Sequence, residues 1–356
     1  MSKNLFKPVY FDLDGICQFQ IYGQPALAQA VRRELSFYQI DPQNPPITLD
    51  LEIELNHLSR YQKSKNPPEM PPFDFPGRHK LARWVIRFER LAQPPRRIKF
   101  YGNAFSKMIV AKQMVEPALR WLAQPLGFIW VHSTCLVKEG RGILIAGQGG
   151  TGKTRLLLNW LKQGNPFLSD DFTILSFGKA RRYVTPLRIG ARLLLESGLS
   201  KNLTASRKSG IYLRTAIRKI LFNYAHLQAK LELQELLPGI QIVDQVDLSA
   251  AVVIEGDGPG LKKISPLEMA EKLVEINKKE MYGFADYLPQ LSEKTGDKNL
   301  AQFFITQRGR LLEFLKDLPC YQIPLLRNYR SKDLLSLLEQ LSFLLNPASS
   351  VRIDGL

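Results

Sequence analysis

The sequence predicts an α/β protein, because a buried strand, a glycine-rich loop and a helix follow one another near the middle of the chain. The apolar run 142–146 has the length and branching of a buried strand. Residues 147–154 read Gly-Gln-Gly-Gly-Thr-Gly-Lys-Thr and match the G-x-x-x-x-G-K-[ST] pattern. The segment 154–162 then contains helix formers and is stopped by Gly164. This order is the context that a phosphate-binding loop requires.

Each position of the loop has a predicted task. Its backbone N–H groups would turn inward around phosphates, the lysine would reach the outer phosphates, and the last hydroxyl would hold Mg²⁺. A nucleoside triphosphate with Mg²⁺ is therefore the predicted cofactor, with ATP taken as the nucleotide although the sequence does not separate ATP from GTP. The alternative is a flexible glycine turn. The predicted phosphate-binding residues are Gly147, Gln148, Gly149, Gly150, Thr151, Gly152, Lys153 and Thr154.

Length and composition limit the class of protein. The 356 residues, of which 45% are hydrophobic, can form one large core or two modest ones. No apolar stretch reaches the roughly 18 residues that cross a bilayer, and the first residues lack a signal-peptide core, so the expected location is cytoplasmic. Cys17, Cys135 and Cys320 are widely separated and form no C-x-x-C pair. Neither a disulfide framework nor a zinc site is indicated.

The net charge of +16 is concentrated in two stretches. Residues 78–99 contain eight Lys or Arg against Glu89, and residues 179–230 contain twelve against Glu196. This imbalance indicates an acidic partner. Nucleic acid is a candidate but is not favoured, because no RNP, zinc-finger or homeodomain signature accompanies the charge. A solvated basic face is the alternative.

The first hundred or so residues predict a small α+β unit. Residues 9–22 alternate around an Asp-Gly pair, as in a hairpin, and 48–55 alternate again before a proline-rich interval. Residues 115–126 have a helical pattern. We therefore expect an N-terminal α+β domain over 1–106 and a nucleotide-binding domain over 107–356.

One motif in the N-terminal part invites another interpretation. Residues 11–15, Phe-Asp-Leu-Asp-Gly, mimic the nucleophile motif of haloacid-dehalogenase-like phosphatases, in which two aspartates act as nucleophile and acid. Only about 90 residues separate this motif from the central unit, which leaves the rest of a phosphatase domain no evident place. We interpret the motif as the turn of a hairpin.

The second half predicts further strands and helices. We expect a strand ending at Leu168 and another over 172–175, a basic helical insertion or lid at about 197–240, and a strand over 248–254. A helix should begin at Ser265, where Ser, Pro and Glu occupy a capping-box pattern. The remainder should be mostly helical, with one late strand.

Three residues near the loop are candidates for chemistry: His132, Asp170 and Asp171. Asp170 follows Lys153 by 17 residues and ends a predicted strand, which in a parallel or mixed sheet returns the chain to the phosphates. One carboxylate could ligate Mg²⁺ with Thr154 while the other accepts a proton from an attacking hydroxyl. The alternatives are a turn or cap role for the aspartates and a core role for the histidine.

These residues together resemble the core of the HPr kinase/phosphorylase family. The resemblance rests on 132–137 (His-Ser-Thr-Cys-Leu-Val), the loop 147–154, and 167–171 (Phe-Leu-Ser-Asp-Asp). The loop is also similar to that of phosphoenolpyruvate carboxykinases, so the implied fold is a mixed-sheet core of that type. The resemblance covers about 107–200, with weaker support near 310–345.

The resemblance implies roles for individual residues. Asp170 would be the general base, His132 would position or charge that carboxylate, Lys153 would act on the phosphates, and Asp171 with Thr154 would bind Mg²⁺. The two aspartates could exchange these roles. Arg188 and Arg192 could bridge phosphate oxygens or be surface charges. No segment matches the signature with which the family contacts its protein substrate.

The predicted function is transfer of the γ-phosphate of ATP to a hydroxyl. The acceptor would be a serine of a protein or peptide, or a small molecule, and the basic insertion favours an anionic one. Alternatives are a nucleotide-hydrolysing switch or a nucleotide-binding module with basic surfaces for nucleic acid or a protein partner, and a scaffold without chemistry. The sequence leaves open whether the protein is a homo-oligomer.

Overall fold

The computed structural model describes residues 6–41, 43–44, 48–62, 72–220, 229–256, 260–325 and 331–345. The chain divides into two units: unit 1 is Met1–Phe128 with Met281–Ile305, and unit 2 is Ile129–Glu280 with Thr306–Leu356. This division differs from the predicted boundary after residue 106. Residues 107–128 join unit 1 because Trp121 packs edge-on against Phe88, with ring centroids 6.4 Å apart, in the core of that unit.

Unit 1 is built on a mixed sheet. Among the described residues its strands follow the order β3-β1-β2-β4-β7-β6-β5. Alternating side chains give the sheet one buried face, which contains fully buried Phe19, Ile53 and Phe100. The strands are β1 Phe6–Asp12, β2 Gln18–Gly23, β3 Gln39–Ile40, β4 Leu51–His57, β5 Phe73–His79, β6 Ala82–Arg90 and β7 Arg96–Gly102, and the helices of its first segment are α1 Pro25–Glu34 and α2 Glu116–Ala123.

The predicted hairpin around residues 14 and 15 is confirmed. β1 and β2 pair antiparallel with Phe11 opposite Phe19, and Asp14 and Gly15 both have positive φ, 49° and 73°. The Asp12 carboxylate accepts a hydrogen bond of 2.7 Å from the Gly15 N–H. The phosphatase-like motif is therefore the turn of this hairpin, and one of its two aspartates is occupied in holding the turn.

Much of the charge in the two basic stretches is paired within the fold. On the sheet of unit 1, Arg97 lies 3.1 Å from Glu52, and Lys99 lies 2.8 Å from Glu89. Arg87 binds both oxygens of Asp74, at 2.6 and 2.8 Å. In unit 2 the pairs Lys179–Asp247, Arg182–Asp244, Arg192–Glu196 and Arg207–Glu235 act in the same way. Acids outside the two stretches, namely Glu52, Asp74, Glu235, Asp244 and Asp247, thus neutralise part of the positive charge of these stretches.

Unit 2 contains a second mixed sheet. Its described strands follow the path β11-β9-β10-β16-β13-β12-β8, and β18 pairs with both β16 and β17. β10, β16 and β18 are parallel neighbours, whereas β9 is antiparallel to β10. The strands are β8 Ile129–Val131, β9 Ser133–Lys138, β10 Arg141–Gly147, β11 Phe167–Ser169, β12 Thr173–Ser176, β13 Lys179–Arg181, β14 Leu187–Ile189, β15 Ala229–Leu231, β16 Gln245–Ile254, β17 Lys262–Ile264 and β18 Cys320–Ile323.

Helices cover both faces of this sheet. Ile143 and Ile145 of β10 belong to one buried cluster, and Leu144 and Ala146 belong to another. Burial on both faces explains why β10 is a continuous apolar run. No helix in the described ranges is long and apolar enough to cross a membrane. The described helices of unit 2 are α3 Lys153–Leu161, α4 Ala191–Ser197, α5 Ala205–Ile220, α6 Leu233–Leu236 and α10 Ser331–Leu344. α7 Pro266–Thr295 and α9 Phe303–Leu315 are divided between the two units, and α8 Lys298–Ala301 belongs to unit 1.

The predicted insertion at about 197–240 contains helices α5 and α6, although 221–228 lie outside the described residues. It also contributes β15, which pairs with β14 with Leu231 opposite Leu187. Leu199 and Ile211 share one buried cluster with Leu156 of α3. The insertion is therefore packed onto the helix that follows the glycine loop.

The predicted start of a helix at Ser265 is confirmed by α7, where the Ser265 hydroxyl accepts a hydrogen bond of 3.1 Å from the Glu268 N–H. We expect Ser265→Ala to lower the free energy of unfolding by about 1 kcal/mol, because this N–H loses its capping partner. Urea denaturation followed by circular dichroism measures the change. Ser209→Ala removes an exposed hydroxyl that bonds only within α5 and should change the value by less than about 0.5 kcal/mol.

Candidate functional site

Several chain segments meet at one end of the sheet of unit 2. β10 runs toward this end and finishes at Gly147, which lies opposite Ile254 of parallel β16. β9 begins here, since Ser133 pairs with Ala146, so His132 lies beside the start of the glycine loop. β11 returns to the same end, because it is antiparallel to β9, and Asp170 follows it directly. The structure thus brings the predicted site residues of three segments together.

The glycine loop has the backbone that its sequence predicts. Gly150 and Gly152 have φ of 83° and 108°, in the left-handed region that favours glycine. A Cβ on Gly147 would lie 2.8 Å from the Thr151 hydroxyl, so a side chain is excluded there by close approach. Thr151 itself donates to the Gln148 carbonyl at 2.9 Å and closes the turn. The loop is therefore fixed by its own contacts as it enters α3.

Lys153 is buried at the first turn of α3. Its ammonium group donates to the carbonyls of Gly147 and Gln148, at 2.5 and 3.1 Å, and lies 3.1 Å from Nε2 of His132. An ammonium group has no acceptor, so Nε2 must accept and the ring proton of a neutral His132 resides on Nδ1. The lysine therefore selects the tautomer of the histidine.

Thr154 and Asp170 are directly paired. The Thr154 hydroxyl donates to Oδ2 of Asp170 at 3.0 Å, and the other carboxylate oxygen, Oδ1, is buried and accepts no hydrogen bond. Burial, reinforced by the neighbouring Asp171 charge, raises the pKa of Asp170 to about 6, whereas Lys153 and the Thr154 hydroxyl act in the opposite direction. A divalent cation at this position would further stabilise the ionised carboxylate.

Asp171 occupies a different environment from its neighbour. Its side chain is 25% exposed, and its Oδ1 lies 3.9 Å from Nδ1 of His132, the nitrogen that carries the ring proton. Its φ of 73° places it in the left-handed region, where aspartate is tolerated better than most residues. Asp170 is thus the carboxylate beside Thr154, and Asp171 is the accessible one beside His132.

Sequence reasoning missed a third carboxylate and the amide that positions the histidine. Glu280 of α7 lies 3.5 Å from Nε2 of His132 and is 25% exposed. One turn earlier on the same helix, buried Asn277 accepts from the His132 N–H at 2.9 Å and donates to the Trp130 carbonyl at 2.7 Å. Asn277 and Glu280 are three residues apart, so the sequence places them on one face of a helix. No pattern near them in the sequence indicates that this face contacts His132.

A buried hydroxyl network supports the same end of the sheet. Ser133 donates to the Thr173 hydroxyl at 2.9 Å, and that hydroxyl lies 2.7 Å from Oγ of Ser169. Thr134 donates to the Ser169 carbonyl at 2.9 Å. These residues flank His132 and Asp170 in sequence, so the network fixes the strand ends that carry both side chains.

The two candidate arginines have other surroundings. Arg192 is 86% exposed and pairs with Glu196 at 2.7 Å, and Glu196 also contacts Arg155 at 3.2 Å. Arg188 lies in β14, opposite Lys230 of β15. Arg192 is therefore a surface charge, which was the alternative interpretation.

The residues present fit a magnesium–nucleotide group. No cluster of three His, Cys, Asp or Glu that could hold a metal occurs within the part of the chain that the structure describes. Mg²⁺ needs none, because it usually takes one or two protein ligands together with substrate phosphates and water. The buried Oδ1 of Asp170 that accepts no hydrogen bond is a free ligand position, and a Cβ at Gly149 or Gly150 would meet no atom within 4 Å, which leaves room beside the loop.

Comparisons with known proteins add no assignment. No protein-family model matches the chain, and no curated protein matches it.

The role of Asn277 can be tested by stability. Asn277→Ala should lower the free energy of unfolding by about 2–4 kcal/mol, because it leaves the His132 N–H and the Trp130 carbonyl buried without this partner. Urea unfolding measures the loss. Asn165→Ala removes one partly buried bond, to the Trp160 carbonyl, and should cost below about 1 kcal/mol. Equal losses in the two variants would contradict the special position of Asn277.

Proposed function

We propose that the protein is a Mg-ATP-dependent kinase that transfers the γ-phosphate to a hydroxyl. The observation that carries this proposal is the pairing of the Thr154 hydroxyl with Asp170, directly beside a second carboxylate, at the mouth of a glycine loop. A phosphate loop alone is compatible with switches and motors. Two adjacent carboxylates with different surroundings supply the two functions that hydroxyl phosphorylation needs, cation binding and proton acceptance.

Binding of the nucleotide would fall to the loop and to Lys153. The N–H groups of the loop and the first turn of α3 provide donors and a positive helix end for phosphate oxygens. Lys153 would exchange its carbonyl partners at Gly147 and Gln148 for the outer phosphates. Mg-ATP, when bound, would supply the phosphoryl group and leave as Mg-ADP after transfer, and its Mg²⁺ would neutralise part of the phosphate charge.

The proton of the acceptor hydroxyl would pass to Asp171. Asp171 is the more exposed of the two carboxylates, so an acceptor can reach it, and Nδ1 of His132 lies 3.9 Å from its Oδ1, beyond hydrogen-bond distance. Asp170 and Thr154 would serve the cation, because the hydroxyl already lies against that carboxylate. The roles are therefore divided by burial: the buried carboxylate binds the ion and the accessible one accepts the proton.

The resemblance to HPr kinases is part of this proposal, and it supplies the proposed type of fold. The α/β architecture with a mixed sheet agrees with such a core. The acceptor is proposed only by class, as a serine of a protein or peptide or a small molecule bearing a hydroxyl.

Lys153→Ala should weaken binding of ATP by about 10- to 100-fold, since charge-assisted hydrogen bonds to phosphate are lost. Isothermal titration with Mg-ATP measures the affinity. Lys162→Ala removes the same charge from the exposed end of α3 and should leave the affinity within about twofold. Unchanged binding in Lys153→Ala would remove the loop from the nucleotide site.

Substitution of the two aspartates should change different kinetic quantities. Asp171→Asn should lower the transfer rate by about 10²- to 10⁴-fold while ATP affinity persists, because only the proton acceptor is removed. Asp170→Asn should raise the Mg²⁺ concentration for half-maximal activity by about tenfold, because one ligand is weakened. The readout is transfer of label from γ-labelled ATP to molecules in an extract of the source cells, followed by mass spectrometry.

Exposed Asp247 provides the control, since Asp247→Asn makes the same chemical change on the surface. Loss of transfer in Asp170→Asn with an unchanged Mg²⁺ requirement would restore the opposite assignment of the aspartates. Wild-type activity in both variants would eliminate this mechanism. Label released only as inorganic phosphate would identify a hydrolysing switch instead of a kinase.

A further inference from the structure

One end of the sheet in unit 1 collects three loops. β4 and β7 run parallel to this end, with His57 opposite Gly102, and β5 also finishes here, because its His79 pairs with Ala82 at the start of β6. The loop segments at this end are 57–60, 78–84 and 102–107. We call them together the basic tip.

The charged side chains of the basic tip are all positive. Its three segments contain no Asp or Glu, and their cations are Arg60, Arg78, Lys80, Arg83 and Lys107. Arg60, Arg78, Arg83 and Lys107 are exposed, and none of the ion pairs formed among the described residues involves them. Elsewhere on this sheet Arg87, Arg97 and Lys99 are each matched by a carboxylate, whereas Arg90 and Arg96 take part in no ion pair among the described residues. The charges of Arg60, Arg78, Arg83 and Lys107 are therefore available to an acidic partner.

Two large apolar side chains in the same loops are exposed. Leu81, at the β5–β6 turn, is 50% exposed, and Phe105, after β7, is 44% exposed. Asn103 ties the two loops together, because its amide donates to the Leu81 carbonyl at 2.9 Å and its N–H donates to the Arg83 carbonyl at 3.1 Å. Ser106 adds a bond of 3.0 Å to the same Arg83 carbonyl. The fold holds both apolar residues in fixed, exposed loops.

We propose that the basic tip binds an anionic lipid surface, with Leu81 and Phe105 entering the boundary between headgroups and acyl chains. Exposed apolar side chains in loops that also carry exposed cations fit a surface that is negative outside and apolar beneath. The phosphates of a single-stranded nucleic acid could contact the cations, and a base could stack on Phe105. Leu81 has no aromatic face on which a base could stack. The exposure of an aliphatic side chain in the same loop as Arg78 and Arg83 therefore favours lipid.

Sedimentation with vesicles tests this proposal on the full-length protein. Vesicles of phosphatidylcholine with about one-third phosphatidylserine should bind the protein, and pure phosphatidylcholine should not. Arg83→Gln with Lys107→Gln should weaken binding about 25-fold, at about fivefold per cation. Leu81→Ser and Phe105→Ser should each weaken it about tenfold, because partly exposed apolar surface loses its contact with the acyl region.

Matched controls come from unit 2. Arg192→Gln and Leu195→Ser change an exposed cation and an exposed leucine outside the tip, and both should leave vesicle binding within about twofold. Circular dichroism confirms that each variant is folded. Absence of binding to anionic vesicles, or binding that is unaffected by Leu81→Ser and Phe105→Ser, would overturn the proposal. Tight binding of single-stranded RNA that depends on Arg83 but not on Leu81, without vesicle binding, would assign the tip to nucleic acid.

Discussion

The candidate site depends on the register of three neighbouring strands. β10 pairs antiparallel with β9 and parallel with β16, so Ala146 lies opposite Ser133 and Gly147 lies opposite Ile254. Side chains alternate along a strand, and a slip of one residue would therefore exchange the two buried faces of β10. The same slip would displace His132 from Lys153. The dense apolar packing on both faces thus also fixes the distances between the polar groups.

Much of this arrangement could be predicted because local patterns determine it. A continuous apolar run before Gly147 and helix formers after Lys153 are sufficient to place β10 and α3. Asp170 could be placed because a short strand after α3 returns to the end of the sheet at which the loop begins. The hairpin at Asp14 and the start of α7 at Ser265 follow from turn and capping chemistry that involves only a few consecutive residues.

What could not be predicted depends on contacts between distant segments. Asn277 reaches the His132 backbone across 145 residues of sequence, and no local pattern encodes that contact. The pairing of Arg97 with Glu52 likewise requires knowledge that β4 and β7 are neighbours. The different surroundings of Asp170 and Asp171 were hidden for another reason: the left-handed backbone at Asp171 turns two adjacent carboxylates toward different partners. The sequence identified the two carboxylates, and only the fold shows that their surroundings differ.

That left-handed backbone also limits how this site can change in evolution. Glycine, asparagine and aspartate adopt a positive φ with the least strain, whereas β-branched residues adopt it rarely. Under the proposed mechanism, a descendant that lost the proton-accepting carboxylate but kept its fold would therefore most readily carry asparagine or glycine at position 171. In related sequences, the residue at this position would then separate members with the proposed transfer activity from members without it.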